Sequence, residues 1–157
     1  MRDAVEIAAL LTEAAEFARD REGELRWPIP FPEGDVRGAI ERGETHVLER
    51  EGRIAATVNL TWADPRFWGP RPPDAGYVHK LAVRRAWAHQ CIGSEVLDWV
   101  AERTRAEGRA FVRLDCPASN ARLIRFYTSR GFRYVRDLTA GPTDLVRVYA
   151  LLEQTLG

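Results

Sequence analysis

The strongest constraint on the fold is an alternation of strand-like and helix-like patterns in the second half of the sequence. Runs rich in β-branched and aromatic residues predict strands at 76–83, 111–115 and 133–136. Between them, 91–107 carries an apolar stripe at helical spacing, and 120–130 is predicted to be a second helix; a glycine follows each. Because strands and helices alternate, this half predicts a mixed α/β domain.

The first half of the sequence predicts two helices followed by a hairpin. The proline-rich segment at 27–34 must interrupt the helical pattern, because proline lacks an amide donor. A second proline-rich stretch, 64–74, is predicted to be a loop. The remaining elements are predicted as helices over 4–19 and 35–42 and strands over 45–50, 53–62 and 145–151. This order favours a mixed, mostly antiparallel sheet flanked by helices.

Composition narrows the class of protein. A chain of 157 residues with 45% hydrophobic and 29% charged residues is typical of one globular domain, here expected over 1–157. The 23 lysines and arginines balance the 23 aspartates and glutamates, so no global field favours nucleic acid. Two cysteines, Cys91 and Cys116, offer no metal-ligand spacing, and no metal is predicted. The N-terminus lacks a secretory pattern, so we expect a cytoplasmic protein.

Three segments together resemble the GNAT superfamily of N-acetyltransferases: KLAVRRAWAHQCIG at 80–93, RLDC at 113–116 and NARLIRFYTSRGF at 120–132. In that family a strand runs into a glycine-containing turn and a helix, followed by an Asn and a Tyr seven residues apart and then by Gly-Phe. The resemblance covers about 44–136. It implies a GNAT fold, acetyl-CoA as co-substrate, acetyl transfer to a primary amine and a plausible homodimer.

The turn before the predicted helix at 91–107 is the candidate phosphate site. A helix that starts directly after a strand presents unpaired amides, and its dipole favours an anion such as a pyrophosphate. The predicted cradle consists of His89, Gln90, Cys91, Ile92, Gly93 and Ser94. His89 and Cys91 stand where the family commonly has glycine. Because a side chain makes positive φ costly, we expect these residues to weaken cofactor binding or to reshape the turn.

The resemblance implies further contacts with acetyl-CoA. It assigns the main chain of Leu81, Ala82 and Val83 to the pantetheine arm. Asn120 and Tyr127 lie two helical turns apart and therefore on one helix face. The resemblance assigns Asn120 to the cofactor arm and Tyr127 to protonating the departing thiolate, for which a free phenol with a pKa near 10 is suited. The alternative is that Asn120 caps the helix and Tyr127 packs in the core.

The reaction also needs a base that deprotonates the amine. His79 is the first candidate, because imidazole titrates near neutral pH. Strand alternation predicts that Tyr77, His79, Leu81 and Val83 share one face. A histidine paired across the sheet or facing solvent is the alternative. Asp64 and Glu44 are further candidates for the base.

Three residues near the second proline-rich stretch are candidates for binding the acceptor. Trp62, Asp64 and Trp68 are predicted to form an aromatic, acidic pocket for a cationic small-molecule amine. Ordinary packing by the tryptophans and ordinary turn chemistry at Asp64 are the alternatives. An amine on a protein or an aminoacyl-tRNA, and a CoA-binding module without turnover, are the other functions that this sequence leaves open.

Overall fold

The computed structural model describes residues 2–24, 27–142 and 146–157. Its helices are α1 Arg2–Glu22, α2 Glu33–Glu41, α3 Pro65–Trp68, α4 Ile92–Ala106 and α5 Ala121–Ser129. Its strands are β1 Thr45–Arg50, β2 Arg53–Thr61, β3 Ala75–Val83, β4 Phe111–Pro117, β5 Arg133–Ala140 and β6 Arg147–Thr155.

The six strands form one sheet in the order β1-β2-β3-β4-β6-β5. β3 and β4 pair in parallel, whereas the pairs β1–β2, β4–β6 and β5–β6 are antiparallel. The predicted mixed, mostly antiparallel sheet flanked by helices is therefore confirmed.

Two predicted regions differ from the structure. The proline-rich stretch predicted as a loop, 64–74, contains the single helical turn α3. Its start is fixed by proline at the first helical position and by Asp64, whose Oδ1 accepts a hydrogen bond from Phe67 N at 3.3 Å. The last two strands, β5 and β6, extend beyond their predicted ends. β6 pairs with both β4 and β5, so long-range pairing sets its length. The predicted start of β6, Leu145, lies outside the described residues.

The chain divides into two compact units, and the prediction of one domain stays a prediction. The first unit comprises Met1–Leu60 and Lys80–Asp98. Its core contains Phe31, Ile54 and Ala82 together with the apolar face of α1. The described residues contain no helix with the length and apolar character needed to cross a membrane.

The second unit comprises Thr61–His79 and Trp99–Gly157. Its core cluster includes Trp68, Ala75, Tyr77 and Leu151. Beside this cluster lies a set of paired polar groups that we call the Arg113 network, formed by Arg113, Asp74, Tyr77 and Glu153.

The Arg113 network satisfies a buried charge from three directions. The Arg113 guanidinium donates to Glu153 at 2.8 Å, to Asp74 at 2.8 Å and to the Tyr77 hydroxyl at 3.0 Å. Burial by itself would lower the pKa of Arg113, but these hydrogen bonds more than offset it, and the pKa is raised. Arg113 therefore stays charged in the interior of the second unit.

Candidate active site

The turn between β3 and α4, in the first unit, has a left-handed backbone at two places. His89 has φ of 65° and Cys91 has φ of 60°. These are the two residues that stand at the family's common glycine positions. Left-handed geometry costs a residue with a Cβ about 1–2 kcal/mol. The turn therefore has the backbone conformation that glycine adopts easily, and it carries the strain of two side chains.

Hydrogen bonds to neighbouring elements hold this turn in place. Arg84 N donates to Ala55 O at 2.8 Å, and the Arg84 side chain donates through Nε to Ile54 O at 2.8 Å. Arg85 N donates to a carboxylate oxygen of Glu13 on α1 at 3.0 Å. These bonds fix the approach of the chain to α4.

The first turn of α4 presents free amides. Glu95 N donates to Cys91 O at 3.1 Å, the first helical hydrogen bond of this element. The amides of Ile92, Gly93 and Ser94 precede it and have no helical acceptor. His89, Gln90 and Cys91 are exposed beside them. This end of α4 has the charge and the donors that an anion requires.

The strand segment at 81–83 departs from the predicted alternation. Lys80 has φ of 51°, and a left-handed residue interrupts the period of two that an extended backbone imposes. The prediction of one shared face from Tyr77 to Val83 is therefore wrong beyond His79. Ala82 is buried in the core of the first unit, whereas Leu81 and Val83 are partly exposed.

Asn120 and Tyr127 lie at the start and near the end of α5, in the second unit. Asn120 is the N-cap, and its Oδ1 accepts a hydrogen bond from Leu123 N at 3.0 Å. The buried ring of Tyr127 packs on Phe126 and Phe132, at centroid distances of 5.3 and 5.7 Å. The capping and packing roles are thus observed, and the roles of both residues toward acetyl-CoA stay predictions.

His79 lies in a group of three titratable side chains, which we call the acidic cluster: Asp64, His79 and Asp115. Asp64 caps α3, and the other two follow the β3–β4 pair of Val78 and Leu114. One side-chain donor or acceptor atom of each residue lies within 4.8 Å of the other two. The distance from His79 Nε2 to Asp64 Oδ2 is 3.6 Å, which is too long for a direct hydrogen bond.

The acidic cluster is electrostatically unfavourable when both carboxylates are charged. Burial raises the pKa of Asp115 to about 7, the charge of Asp64 adds to the shift, and Arg66 opposes it. Asp64 Oδ2 is buried and has no hydrogen-bond partner within the part of the chain that the structure describes. Such an arrangement is typical of a functional site, because buried polar groups are normally paired.

Sequence reasoning singled out His79 and Asp64 but missed Asp115. The only signal was its place in the RLDC segment, and the parallel register of β3 and β4 is needed to put it next to His79. Glu44, the other candidate base, has its carboxylate paired with the Arg42 guanidinium at 2.9 and 3.0 Å.

The two tryptophans predicted for the acceptor pocket are engaged in packing. Trp68 is only 3% exposed and meets Tyr77 edge-on at 6.3 Å. The Arg109 guanidinium lies 4.8 Å from the centre of the Trp62 ring, and Arg109 also donates to Trp62 O at 3.2 Å. These contacts favour the packing alternative for both rings, and Asp64 is the member of the predicted pocket that belongs to the acidic cluster.

A family model and a similar protein both indicate the same family for this chain. Residues 14–132 match the model of the acetyltransferase (GNAT) family. The chain is also similar to the uncharacterized N-acetyltransferase YesJ of Bacillus subtilis (strain 168), with 33% identity over 141 residues, which is 85% of this chain and 78% of the relative.

Two solved structures share the fold over nearly the whole chain. The ribosomal-protein-S18-alanine N-acetyltransferase of Escherichia coli has a TM-score of 0.69 at 20% identity, covering 100% of this chain and 90% of the other. The acetyltransferase yncA of Salmonella typhimurium, solved with its cofactor acetyl-CoA, has a TM-score of 0.69 at 15% identity, covering 99% and 91%.

Proposed function

This chain belongs to the acetyltransferase (GNAT) family, as an N-acetyltransferase that uses acetyl-CoA as its co-substrate, and on that premise we propose that it acetylates a primary amine of a small molecule. The observation that supports a primary amine as the acceptor is the acidic cluster. An amine reaches an enzyme at neutral pH as a cation, and it must lose a proton before it can attack. A buried and a partly buried carboxylate beside an imidazole suit both needs.

Acetyl-CoA binding is proposed to use the residues that the family resemblance indicated. The amides at the start of α4 bind the pyrophosphate, and the exposure of residues 89–91 before them supports this role because the ligand can reach this end of the helix. The main chain of Leu81–Val83 binds the pantetheine arm. Asn120 contributes a further polar contact to that arm.

The proposed reaction is direct attack in a ternary complex. His79 takes a proton from the ammonium group, and the neutral nitrogen then attacks the thioester carbonyl carbon. A main-chain N–H near Leu81–Val83 stabilises the oxyanion. The tetrahedral intermediate collapses, the C–S bond breaks, and Tyr127 donates its phenolic proton to the departing thiolate. The nitrogen loses its remaining extra proton to the Tyr127 phenolate, which restores the phenol, and His79 releases its proton to solvent. The products are the acetylated amine and CoA.

Removal of the Tyr127 hydroxyl tests this mechanism. We expect Tyr127→Phe to lower kcat about 100-fold, because a positioned general acid contributes at least that much, with an unchanged Kd for acetyl-CoA. Thiol release across a panel of small amines measures the rate. Tyr134→Phe, which removes an exposed phenol from β5, is the matched control and should retain full activity. Equal rates for Tyr127→Phe and wild type would contradict the assignment.

The amine panel also distinguishes the other candidate functions. One neighbour of the same fold is named for acetylating an alanine of a ribosomal protein. A peptide with an N-terminal alanine therefore belongs in the panel, and turnover confined to it would place the acceptor on a protein. Tight binding of acetyl-CoA without turnover of any amine would instead favour a CoA-binding module.

A further inference from the structure

The acidic cluster contains a buried carboxylate oxygen that makes no hydrogen bond among the described residues. Asp64 has a side chain that is 8% exposed, and its Oδ1 caps α3 while its Oδ2 faces His79 without a hydrogen-bond partner. A buried acceptor without a donor destabilises the folded protein. A ligand that brings donors and positive charge would offset that destabilisation.

We propose that the acidic cluster is the receptor for the acceptor's primary ammonium group, which donates one N–H each to Asp64, His79 and Asp115. This inference rests on the proposed function and names the chemical class that its acceptor must contain. Asp115 is the member that neither the sequence pattern nor the family resemblance assigns.

The size of the acidic cluster fits an ammonium group. Three acceptors that surround a tetrahedral nitrogen at about 2.9 Å lie roughly 4.7 Å apart, and modest bending of the hydrogen bonds brings them closer. The acceptor atoms here lie within 4.8 Å of one another, with 3.6 Å between His79 Nε2 and Asp64 Oδ2. A zinc ion with ligands at about 2.1 Å would need all three separations to be about 3.4 Å.

The charges favour a cation that carries donors. Asp115 faces Asp64 and Arg66 from the α3 segment and His79 from β3, and its pairing partner on β6 is the apolar Leu151. The positive charge of Arg66 opposes the shift at Asp115 but does not prevent the raised pKa. In the free protein a proton on Asp115 therefore removes part of the repulsion between the two carboxylates, as a bound ammonium group would.

Binding of an ammonium group should be linked to loss of this proton. Because the pKa of Asp115 is about 7, the carboxyl is about half protonated at that pH. A bound cation favours the ionised form and expels the proton. Between pH 6 and pH 8 the ionised fraction of Asp115 rises about tenfold, so ammonium affinity should rise by about the same factor.

An NMR titration of the whole chain without acetyl-CoA tests the receptor. The probe is n-butylammonium, followed through the imidazole signals of His79 at pH 6, 7 and 8. We expect the wild-type Kd to fall about tenfold from pH 6 to pH 8. Asp115→Asn should weaken binding at pH 8 at least tenfold and remove the pH dependence, while a thermal melt shows that the variant is folded. Asp137→Asn, which removes an exposed carboxylate from β5, should behave as wild type.

Two matched ligands sharpen this experiment. Butyltrimethylammonium has the same charge but no N–H donor, so we expect it to leave the His79 signals unchanged. Equal binding of this quaternary cation, or an unaltered pH dependence in Asp115→Asn, would overturn the receptor. Zinc that binds the free protein more tightly than n-butylammonium, and loses affinity in Asp115→Asn, would overturn it too by making the cluster a metal site.

The receptor and the proposed function can fail separately. If the protein acetylates a small amine but Asp115→Asn leaves the amine affinity unchanged, the receptor is refuted and the proposed function is supported. Ammonium binding that depends on Asp115 and on pH, without acetyl transfer to any amine, would support the receptor and refute the proposed function.

Discussion

The Arg113 network and the acidic cluster are two groups of buried and partly buried titratable side chains in the same unit, and they are satisfied in different ways. In the Arg113 network, opposite charges meet at hydrogen-bond distance, and Glu153 also accepts from Arg133 at 2.8 Å. In the acidic cluster, two carboxylates lie together, and one buried oxygen has no hydrogen-bond partner. The first group is satisfied by hydrogen bonds within the unit, whereas the second leaves a buried carboxylate oxygen without a hydrogen bond among the described residues.

This difference separates structural from functional burial of charge. A charge that only holds the fold must be paired inside the chain, because desolvation is costly at all times. A binding site can leave that cost uncompensated until its ligand arrives. We therefore expect that removing a charge from the Arg113 network strongly destabilises the folded protein, whereas removing a charge from the acidic cluster stabilises it.

The largest expected effect comes from the Arg113 network. Arg113→Met should destabilise the protein by about 3–5 kcal/mol, because it leaves the buried Glu153 carboxylate without its main partner. Urea denaturation measures this loss. Arg133→Met removes the other, 70% exposed partner of the same carboxylate and should cost less than about 1 kcal/mol. Similar losses in the free energy of unfolding for the two variants would show that the buried Arg113 is no more important to stability than the exposed Arg133.

The acidic cluster should respond to substitution in the opposite direction. The folded-state pKa of Asp115, about 7, lies above the ordinary value of 3.8, so the folded protein holds a proton that the unfolded chain has lost. Wild-type stability should therefore decrease as pH rises from about 4 to about 7, by the order of 2–4 kcal/mol for this group. Asp115→Asn should lack that decrease.

Denaturation of wild type and Asp115→Asn at pH 5 and pH 8 measures this linkage. We expect the variant to be the more stable protein at pH 8, with a smaller difference at pH 5. Asp137→Asn, an exposed aspartate on β5, supplies the control for loss of one carboxylate. Parallel pH curves for wild type and Asp115→Asn would show that the cluster is already satisfied.

The chemistry of the acidic cluster should depend on His79. His79→Gln keeps a polar side chain but cannot accept a proton near neutral pH, so we expect kcat to fall about 100-fold. The acid limb of the pH–rate profile should change its shape as well. An unchanged profile would show that another group is the base.

The smallest expected effect concerns the turn between β3 and α4, where the folded state is destabilised by backbone geometry rather than by charge. Cys91 is exposed and has φ of 60°, so Cys91→Gly should relieve strain and stabilise the protein by about 1 kcal/mol. Cys91→Ala keeps the Cβ and should show no such gain. Thermal melts of the two variants measure the difference, and equal melting temperatures would contradict the strain.

The sequence was most informative where local chemistry decides the structure. The bounds of β1 were predicted as observed, and the helix that carries Asn120 and Tyr127 was placed within one residue at each end. These elements are set by turn residues, a cap and a following glycine, all of which lie close together in the chain.

The sequence was least informative where distant segments meet. The left-handed Lys80 interrupts β3 although lysine has no local preference for that geometry. The acidic cluster unites residues from positions 64, 79 and 115, and only the β3–β4 register brings the last two together. The raised pKa of Asp115 depends on burial, which cannot be predicted from a short sequence motif.

The ionisation of the Asp115 carboxyl in the free protein is the most direct test of the proposed ammonium receptor. Carbon-13 NMR of aspartate-labelled protein, assigned with Asp115→Asn, follows that carboxyl from pH 4 to pH 9. We expect a midpoint near 7 that falls when saturating n-butylammonium is added. A carboxyl that is already fully ionised at pH 5, with or without the amine, would contradict it.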